Sequence, residues 1–166
     1  MKDSTVVEEN IDGVATFSGD KIDECGKIIS NSMKWSVAAS VIPVPTLDLI
    51  AIGATQANMI AEISKVYGSS IPKEAVRTTI SVLLGVLAPV GASAIVVNGA
   101  MKFLPGYGTL ISGVSMATFA AASTYAIGKI FVAHYEGGGT FADFKPEVIA
   151  EKLKAEFNAA KNTVKA

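Results

Sequence analysis

The sequence has few of the residues on which most enzyme sites depend. Among its 166 residues are one cysteine, Cys25, and one histidine, His134. A single cysteine excludes an intramolecular disulfide, and one Cys with one His is too few for a zinc site of the usual kind. A reducing compartment is expected for at least the soluble part of the chain. His134 stands beside Tyr135 at a predicted helix end, and we interpret it as structural or interfacial rather than catalytic.

Motifs for nucleotide, metal and acyl-transfer chemistry are absent from the sequence. The P-loop pattern does not occur, and the glycines at 137–139 are followed by Thr140 and Phe141, with no lysine to contact a phosphate. Gly106 and Gly108 precede a predicted helix but follow no predicted strand, which argues against a dinucleotide site. No nucleophile elbow, zincin motif or EF-hand loop is present. We therefore expect no enzymatic activity, no cofactor and no bound metal.

Charge is scarce and unevenly distributed. Charged residues make up 17% of the chain, against roughly 25% in typical soluble domains. They are concentrated in residues 1–34 and 136–166. The net charge of −1 gives no general reason to bind nucleic acid, so no such partner is expected. Glu8 and Glu9 stand where a secretory signal would need an apolar run, so we expect no signal peptide and a cytosolic N-terminus.

Two long uncharged runs occupy the centre of the sequence. Residues 78–101 and 103–128 contain no Asp, Glu, Lys or Arg, and Lys102 alone separates them. The lysine is followed by three turn-forming residues, Pro105, Gly106 and Gly108. This pattern predicts a helical hairpin whose two arms avoid water. Each arm is long enough to cross a bilayer, which needs about 20 residues.

The two arms differ in their small and helix-breaking residues. Pro89 and Gly91 interrupt the first arm, which predicts a bend or a helix that does not cross a bilayer as one rod. In the second arm, Gly113, Ala117 and Ala121 recur every four residues. Such spacing lets helix backbones approach closely, and we interpret it as a site of tight helix pairing within the hairpin or between subunits.

Two helices are predicted before the hairpin. The first begins near Asp20 and carries Trp35, which suits either an interfacial anchor or a core position. Pro43 and Pro45 then break the helical pattern, and a second helix runs from there to Gly68. This second helix is predicted to be mostly buried, with one narrow polar seam along it.

Three polar residues of the second helix are candidate structural or interaction residues. Asp48, in the first turn, is interpreted as a carboxylate bonded to the free backbone N–H groups of the helix start. Its functional alternative is a polar path in a membrane or a contact with a partner's cation. Gln56 and Asn58 are interpreted as groups that hydrogen-bond between helices.

The sequence divides into four predicted parts. Residues 1–19 form a flexible N-terminal segment, and 20–135 a helical domain of membrane or oligomerising type. A Gly-rich linker at 136–144 leads to an amphipathic helix at 145–166, which could pack on the domain, lie on a membrane surface or bind a partner. The predicted fold class is all-α: a helical bundle built around the apolar hairpin, with an amphipathic C-terminal helix.

Two stretches of the sequence resemble a known family. These are VIPVPTLDLIAIGATQANMIAEISKVYG and MKFLPGYGTLISGVSMATFAAASTYAIGKIFVAHYEGG. Both look like the signature of the bacterial YcjF-like, GTPase-associated family, domain of unknown function 697, and the resemblance covers about residues 25–140. The family's pattern corresponds here to Pro43, Pro45, Asp48, Gln56, Tyr67, Gly68, Pro105, Gly106, Gly108, Thr124, Tyr125 and Gly128.

The resemblance implies a helical protein of membrane type with no established enzymatic activity. Similar domains are often fused to, or encoded beside, Era-like or dynamin-like GTPase domains. The present sequence differs from the fused members because it contains no GTPase domain. A GTPase partner is therefore expected to act in trans.

These observations together predict a non-enzymatic, membrane-associated helical module that anchors, oligomerises or recruits a partner. Its expected partners are membrane lipid, further copies of the chain and a GTPase in trans. Two alternatives stay open: a pore-forming or membrane-permeabilising oligomer, and a soluble self-assembling structural protein that buries its hairpin between subunits. The expected location is a membrane, the inner membrane in a Gram-negative bacterium, with cytosolic termini; the cytoplasm is the alternative.

Overall fold

The predicted all-α helical bundle is confirmed. The computed structural model describes residues 8–9, 15–16, 19–40, 47–101 and 108–164, with side chains in 19–40, 50–90 and 116–164. Its five helices are α1 (Asp20–Ala39), α2 (Leu47–Val66), α3 (Lys73–Met101), α4 (Gly108–Glu136) and α5 (Pro146–Val164). A 3-10 helix, Phe141–Asp143, precedes α5. The sequence did not predict the antiparallel pair of two-residue strands, β1 (Glu8–Glu9) and β2 (Ala15–Thr16).

Glycine ends two of the helices in the same way. Gly68 follows α2 with a φ of +75°, and Gly138 follows α4 with a φ of +83°. After α2, the Gly68 N–H donates to the Lys65 carbonyl and the Ser69 N–H to the Ser64 carbonyl. This pair of bonds is the Schellman motif, which satisfies the last carbonyls of a helix and requires a residue that tolerates the left-handed region. The predicted end of the second helix at Gly68 is therefore confirmed.

The fourth helix is the centre of the bundle. It contacts α1, α2, α3 and α5, while α1 also packs on α2, α2 on α3, and α3 on α5. The four outer helices thus follow the order α1, α2, α3, α5 around α4. Within the described residues, one helical segment is long and apolar enough to cross a membrane, Met116–Glu136, and 78% of its most apolar window is buried inside the protein.

Contacts along α4 set the direction of its neighbours. In α1, Ile29 lies against Gly128 and Ser36 bonds Thr124, so α1 runs antiparallel to α4. In α2, Gln56 bonds Ser123 and Ser64 bonds Tyr135, so α2 runs parallel to α4. The order of ring contacts makes α5 antiparallel to α4: Phe144, before α5, stacks on Phe131, and Phe157 packs on Phe119.

The core is continuous and contributed by every helix. Its largest fully buried side chains are Phe131, Phe157, Ile29, Ile52, Met59, Ile60, Ile63, Ile80, Leu83, Leu87, Ile127 and Leu153. The C-terminal helix packs on the domain through Leu153, Phe157 and Ala160, which are buried. In the predicted linker, Phe144 is buried and its ring centroid lies 4.1 Å from that of Phe131. This stretch therefore packs on the bundle ahead of α5.

Several predictions from the sequence can be compared with the structure residue by residue. The helix α3 continues through Pro89 to Met101. Trp35 is 64% exposed, which excludes the core alternative for it. Along α2, Asn58, Glu62 and Lys65 are exposed and form the predicted polar seam. Asn58 is therefore exposed, and its interpretation as a group that hydrogen-bonds between helices stays a prediction.

Candidate functional surface

One end of the bundle lacks charge on three of its outer helices. The register described above brings together residues 35–40 of α1, 50–61 of α2 and 78–90 of α3, beside residues 116–128 of α4. None of these stretches contains Asp, Glu, Lys or Arg. We call this region the uncharged end. Beyond it, α3 continues to Met101 and α4 begins at Gly108.

Large apolar side chains are exposed at the uncharged end. Trp35 on α1 is 64% exposed, Ile50 on α2 66%, and Val82 on α3 44%. Scattered exposed apolar residues are normal on soluble proteins, whereas a group of them on an uncharged surface is typical of an interaction site. Exposed Lys34 precedes Trp35, so the α1 side also carries a cation at its border.

The α5 side of the bundle is charged along its length. Lys154 pairs with Glu151 at 2.8 Å, and Glu156 pairs with Lys129 of α4 at 2.8 Å. Lys161 follows near the helix end, with its ammonium 5.9 Å from the centre of the Phe157 ring. This side therefore suits water. The bundle is asymmetric: at this end α1 has no charge after Lys34 and α2 has only Asp48, whereas α5 is charged.

A buried polar network lies beneath the uncharged end. The Gln56 amide N–H₂ donates to Ser123 Oγ at 3.0 Å and to Thr124 Oγ1 at 3.2 Å. The Thr124 hydroxyl donates to Ser36 Oγ at 2.8 Å, and the Ser123 hydroxyl to the Ala120 carbonyl at 3.2 Å. Gln56 Oε1 is buried and has no hydrogen-bond partner among the described residues. These bonds join α1, α2 and α4, and because buried polar groups are costly when unpaired, they favour one register among the three helices.

The opposite end of the bundle holds a cluster of titratable side chains. Tyr67 donates to Glu136 Oε1 at 2.6 Å, and its ring stacks on Tyr135 with 4.9 Å between centroids. Cys25 is fully buried, and burial raises the pKa of its thiol to about 11. Burial and the bond to Glu136 also raise the pKa of Tyr67. Both groups are neutral at physiological pH, which makes Cys25 a poor nucleophile.

His134 is part of the turn that connects α4 to α5. Its Nε2 lies 2.8 Å from the Thr140 carbonyl oxygen and 2.8 Å from Asp143 Oδ1. The Thr140 backbone N–H also donates to Asp143 Oδ1, and this bond, followed by the histidine, lowers the pKa of Asp143. These contacts give His134 a structural role in the turn. Within the parts of the chain that the structure describes, no group of three His, Cys, Asp or Glu residues could hold a metal ion.

Among the candidate residues that the structure describes, Gln56 and Asn58 lie on α2 and Tyr125 lies on α4. Gln56 is in the buried network, and half-buried Tyr125 lies beneath the Lys129 ammonium, 5.9 Å from its ring centre. Asp48 is the second residue of α2, Gly108 the first of α4, and Gly113 a residue of the same helix. Four further candidates, Pro43, Pro45, Pro105 and Gly106, lie outside the described residues.

Sequence reasoning from the residues alone missed Ser123 as a partner of Gln56, Ser36 as the partner of Thr124, and Ile50 as an exposed apolar side chain. The signal for the network was the presence of Ser and Thr inside otherwise apolar helices, since such residues need a hydrogen-bond partner when buried. No comparable signal singled out Ile50. Its exposure depends on how α2 packs against its neighbours.

Comparison with known proteins gives one family and one curated relative. The family model described as "Domain of unknown function (DUF697)" matches residues 21–162. "Magnetosome membrane protein 22" of Magnetospirillum gryphiswaldense is 33% identical over 152 residues, covering 88% of this chain and 78% of the relative. No solved structure matches.

Proposed function

The chain belongs to the family of domain of unknown function 697, and from that premise we propose that it is a non-enzymatic, membrane-associated helical module. The relative described above is named as a membrane protein, which supports this proposal. The structural support comes from the lengths of the helices. Their relative register also supports the proposal, because it leaves part of α3 and α4 beyond the ends of α1 and α2.

The observation that carries the proposal is that the hairpin helices are longer than α1 and α2, which pack beside them. Both α3 and α4 contain 29 residues, whereas α1, α2 and α5 contain 20, 20 and 19. Ser36 of α1 lies opposite Thr124 of α4, and α1 ends three residues later at Ala39. Because the two helices are antiparallel, α1 ends near the level of residue 120 of α4. Gln56 of α2 lies opposite Ser123 of α4, and α2 begins nine residues earlier at Leu47. Because these two helices are parallel, α2 begins near the level of residue 115 of α4. The hairpin helices thus continue past the ends of α1 and α2.

The continuing parts are residues 91–101 of α3 and 108–115 of α4, which the sequence makes entirely uncharged. At 1.5 Å per residue they add roughly 16 Å and 12 Å of helix. Half of a hydrocarbon core about 30 Å thick is a comparable distance. These two stretches, which we call the hairpin end, are therefore suited to enter one leaflet on the side where α1 and α2 end.

Flotation with liposomes tests this proposal. Purified protein is mixed with phospholipid vesicles and centrifuged through a density gradient, and the fraction that rises with the vesicles is measured. We expect the protein to float and a Val96→Asp variant to lose flotation, because Val96 lies in the hairpin end. The matched control, Asn158→Asp on the exposed face of α5, keeps flotation. Failure of the natural chain to float would contradict the proposal.

A soluble assembly is the second candidate function. It is favoured by the 78% burial of the Met116–Glu136 window, which is what a core helix of a soluble protein shows. In that case the hairpin ends would pack between copies of the chain. Light scattering of detergent-free protein distinguishes the candidates: a defined soluble oligomer that does not float supports the assembly.

Recruitment of a GTPase is the finer part of the proposal and rests on the family alone. The test is copurification of the chain with GTPases encoded beside it, together with their rate of GTP hydrolysis with and without the chain. Stable association or a changed rate supports recruitment. If the protein floats but shows neither stable association nor a changed rate of GTP hydrolysis, the chain is a membrane module without a GTPase partner.

A further inference from the structure

We infer that the module rests on the bilayer in a tilted orientation. Residues 35–40 of α1 and 50–61 of α2, which belong to the uncharged end, lie against the lipid surface, and α5 faces the water. This inference rests on the proposed membrane association and adds to it the face that contacts lipid. The partner is the interfacial region of a phospholipid bilayer. Trp35 and Ile50 are the contacting side chains, and Lys34 lies at the border of the contact.

The distribution of charge requires the tilt. An upright bundle that sank far enough to cover Trp35 would also bring α5 into the lipid, including the Lys129–Glu156 pair. Immersing ionised side chains in hydrocarbon is expensive, even when they are paired. Tilting towards α1 and α2 covers the uncharged face and leaves α5 in water. The order of helices around α4 permits this, because α5 packs on α3 and α4 while α1 packs on α2 and α4.

The exposed side chains match the interfacial zone. Tryptophan is enriched where hydrocarbon meets the headgroups, because its ring is apolar and its indole N–H remains hydrogen-bonded there. Trp35 is 64% exposed and follows Lys34, whose ammonium can contact lipid phosphates while its stem stays on the apolar surface. Ile50, 66% exposed, adds apolar area on the neighbouring helix. The contact therefore contains both an aromatic anchor and a cation.

Trp35 is the single tryptophan of the chain, so its fluorescence reports this site without any mutation. The protein is bound to vesicles containing phospholipids brominated at shallow acyl positions, and flotation is measured in the same samples. We expect the emission to shift to shorter wavelength and to lose most of its intensity to the bromine. The matched control moves the probe to α5 at the same end of the bundle, as Trp35→Phe with Asn158→Trp. Its emission is expected to stay unshifted and unquenched.

A pair of charge substitutions gives an independent measurement. Ile50→Glu on α2 is expected to lower the vesicle partition coefficient about tenfold, through the loss of an apolar contact. Val148→Glu on α5, where the side chain is 77% exposed, is expected to leave it unchanged. Neither side chain is part of the core, so circular dichroism should show full helicity for both variants.

Each alternative outcome overturns the inference in a recognisable way. Flotation without quenching of Trp35 refutes the tilt and keeps the membrane association. Quenching at both Trp35 and residue 158 indicates an upright, deeper insertion. A concentration-dependent blue shift without lipid indicates that a second copy covers this face. Absence of flotation refutes both the inference and the proposed function.

Discussion

Replacing Gly128 by alanine tests the closest helix contact that the structure describes at a glycine. A Cβ added at Gly128 would lie 2.6 Å from Ile29 Cγ1, 2.9 Å from Ile29 Cδ1 and 3.2 Å from Met59 Sδ. Ile29 and Met59 are both buried, so neither side chain can turn into solvent. The substitution therefore forces α1 away from α4 or moves core side chains from their preferred rotamers.

Two opposing effects determine how much Gly128→Ala changes the free energy of unfolding. Alanine in place of glycine inside a helix stabilises by about 1 kcal/mol. Overfilling a packed core costs about 1–3 kcal/mol. The expected net result is a loss of roughly 1 kcal/mol in the free energy of unfolding, which for a domain of this size lowers the melting temperature by about 2–4 °C. The measurement is denaturant unfolding followed by far-ultraviolet circular dichroism.

Gly85→Ala is the matched control. Gly85 is an exposed residue within α3, and an added Cβ would meet nothing within 4 Å. Only the helix propensity changes there, so this variant should be more stable by about 1 kcal/mol. If Gly128→Ala were stabilising to the same extent, the close contact between α1 and α4 would be refuted.

A double-mutant cycle identifies the residue responsible. Ile29→Ala removes both atoms nearest to the added Cβ, although alone it costs about 2–5 kcal/mol. In that background Gly128→Ala should stabilise, which gives a coupling energy of about 2 kcal/mol between the two sites. The cycle can be measured with Gly85→Ala present, to keep the variants folded. A coupling below about 0.5 kcal/mol would show that the two positions are independent.

Three further predictions concern titratable groups. Gln56→Glu places a carboxyl in a fully buried site, which raises its folded-state pKa above the usual value of about 4.3. Its destabilisation should be smallest below about pH 4, where only one of the two hydrogen bonds donated by Gln56 is lost, and should grow as the pH rises, in unfolding curves at several pH values. Asp143→Ala should lower stability at neutral pH, and because the pKa of Asp143 is lowered in the fold, the difference from the natural chain should shrink as the pH falls through that pKa; a difference that does not shrink on acidification would contradict this. The buried Cys25 thiol should react with Ellman's reagent at pH 8 only after unfolding, and fast labelling of the folded protein would refute its burial.

The elements of this fold were largely predictable from local patterns. Asp20 begins α1 and Gly68 ends α2, as the sequence indicated, since the starts and ends of helices depend on a few neighbouring residues. The C-terminal helix was also predicted within one or two residues of its ends. For Trp35 the sequence left two environments open. The structure exposes it, because the α1 face that packs on α2 and α4 is the one that carries Cys25 and Ile29.

The candidate surface was less predictable than the helices that form it. Gln56 and Asn58 are two residues apart and were interpreted alike, yet one is buried in a network and the other is exposed. Their separation by about 200° around the helix axis places them on different sides. Which side faces the core depends on the position of α4, and that information is distributed over the whole chain.

The uncharged runs at 78–101 and 103–128 determined by themselves that this chain is built around a helical hairpin that avoids water. Only the tertiary structure decided what covers each part of that hairpin. It surrounds residues 116–136 of α4 with protein, and it places the ends of α1 and α2 so that the hairpin helices continue beyond them. The physical reason is that apolar sequence specifies removal from water, which lipid and protein satisfy equally well. The choice between them depends on which surfaces lie within reach.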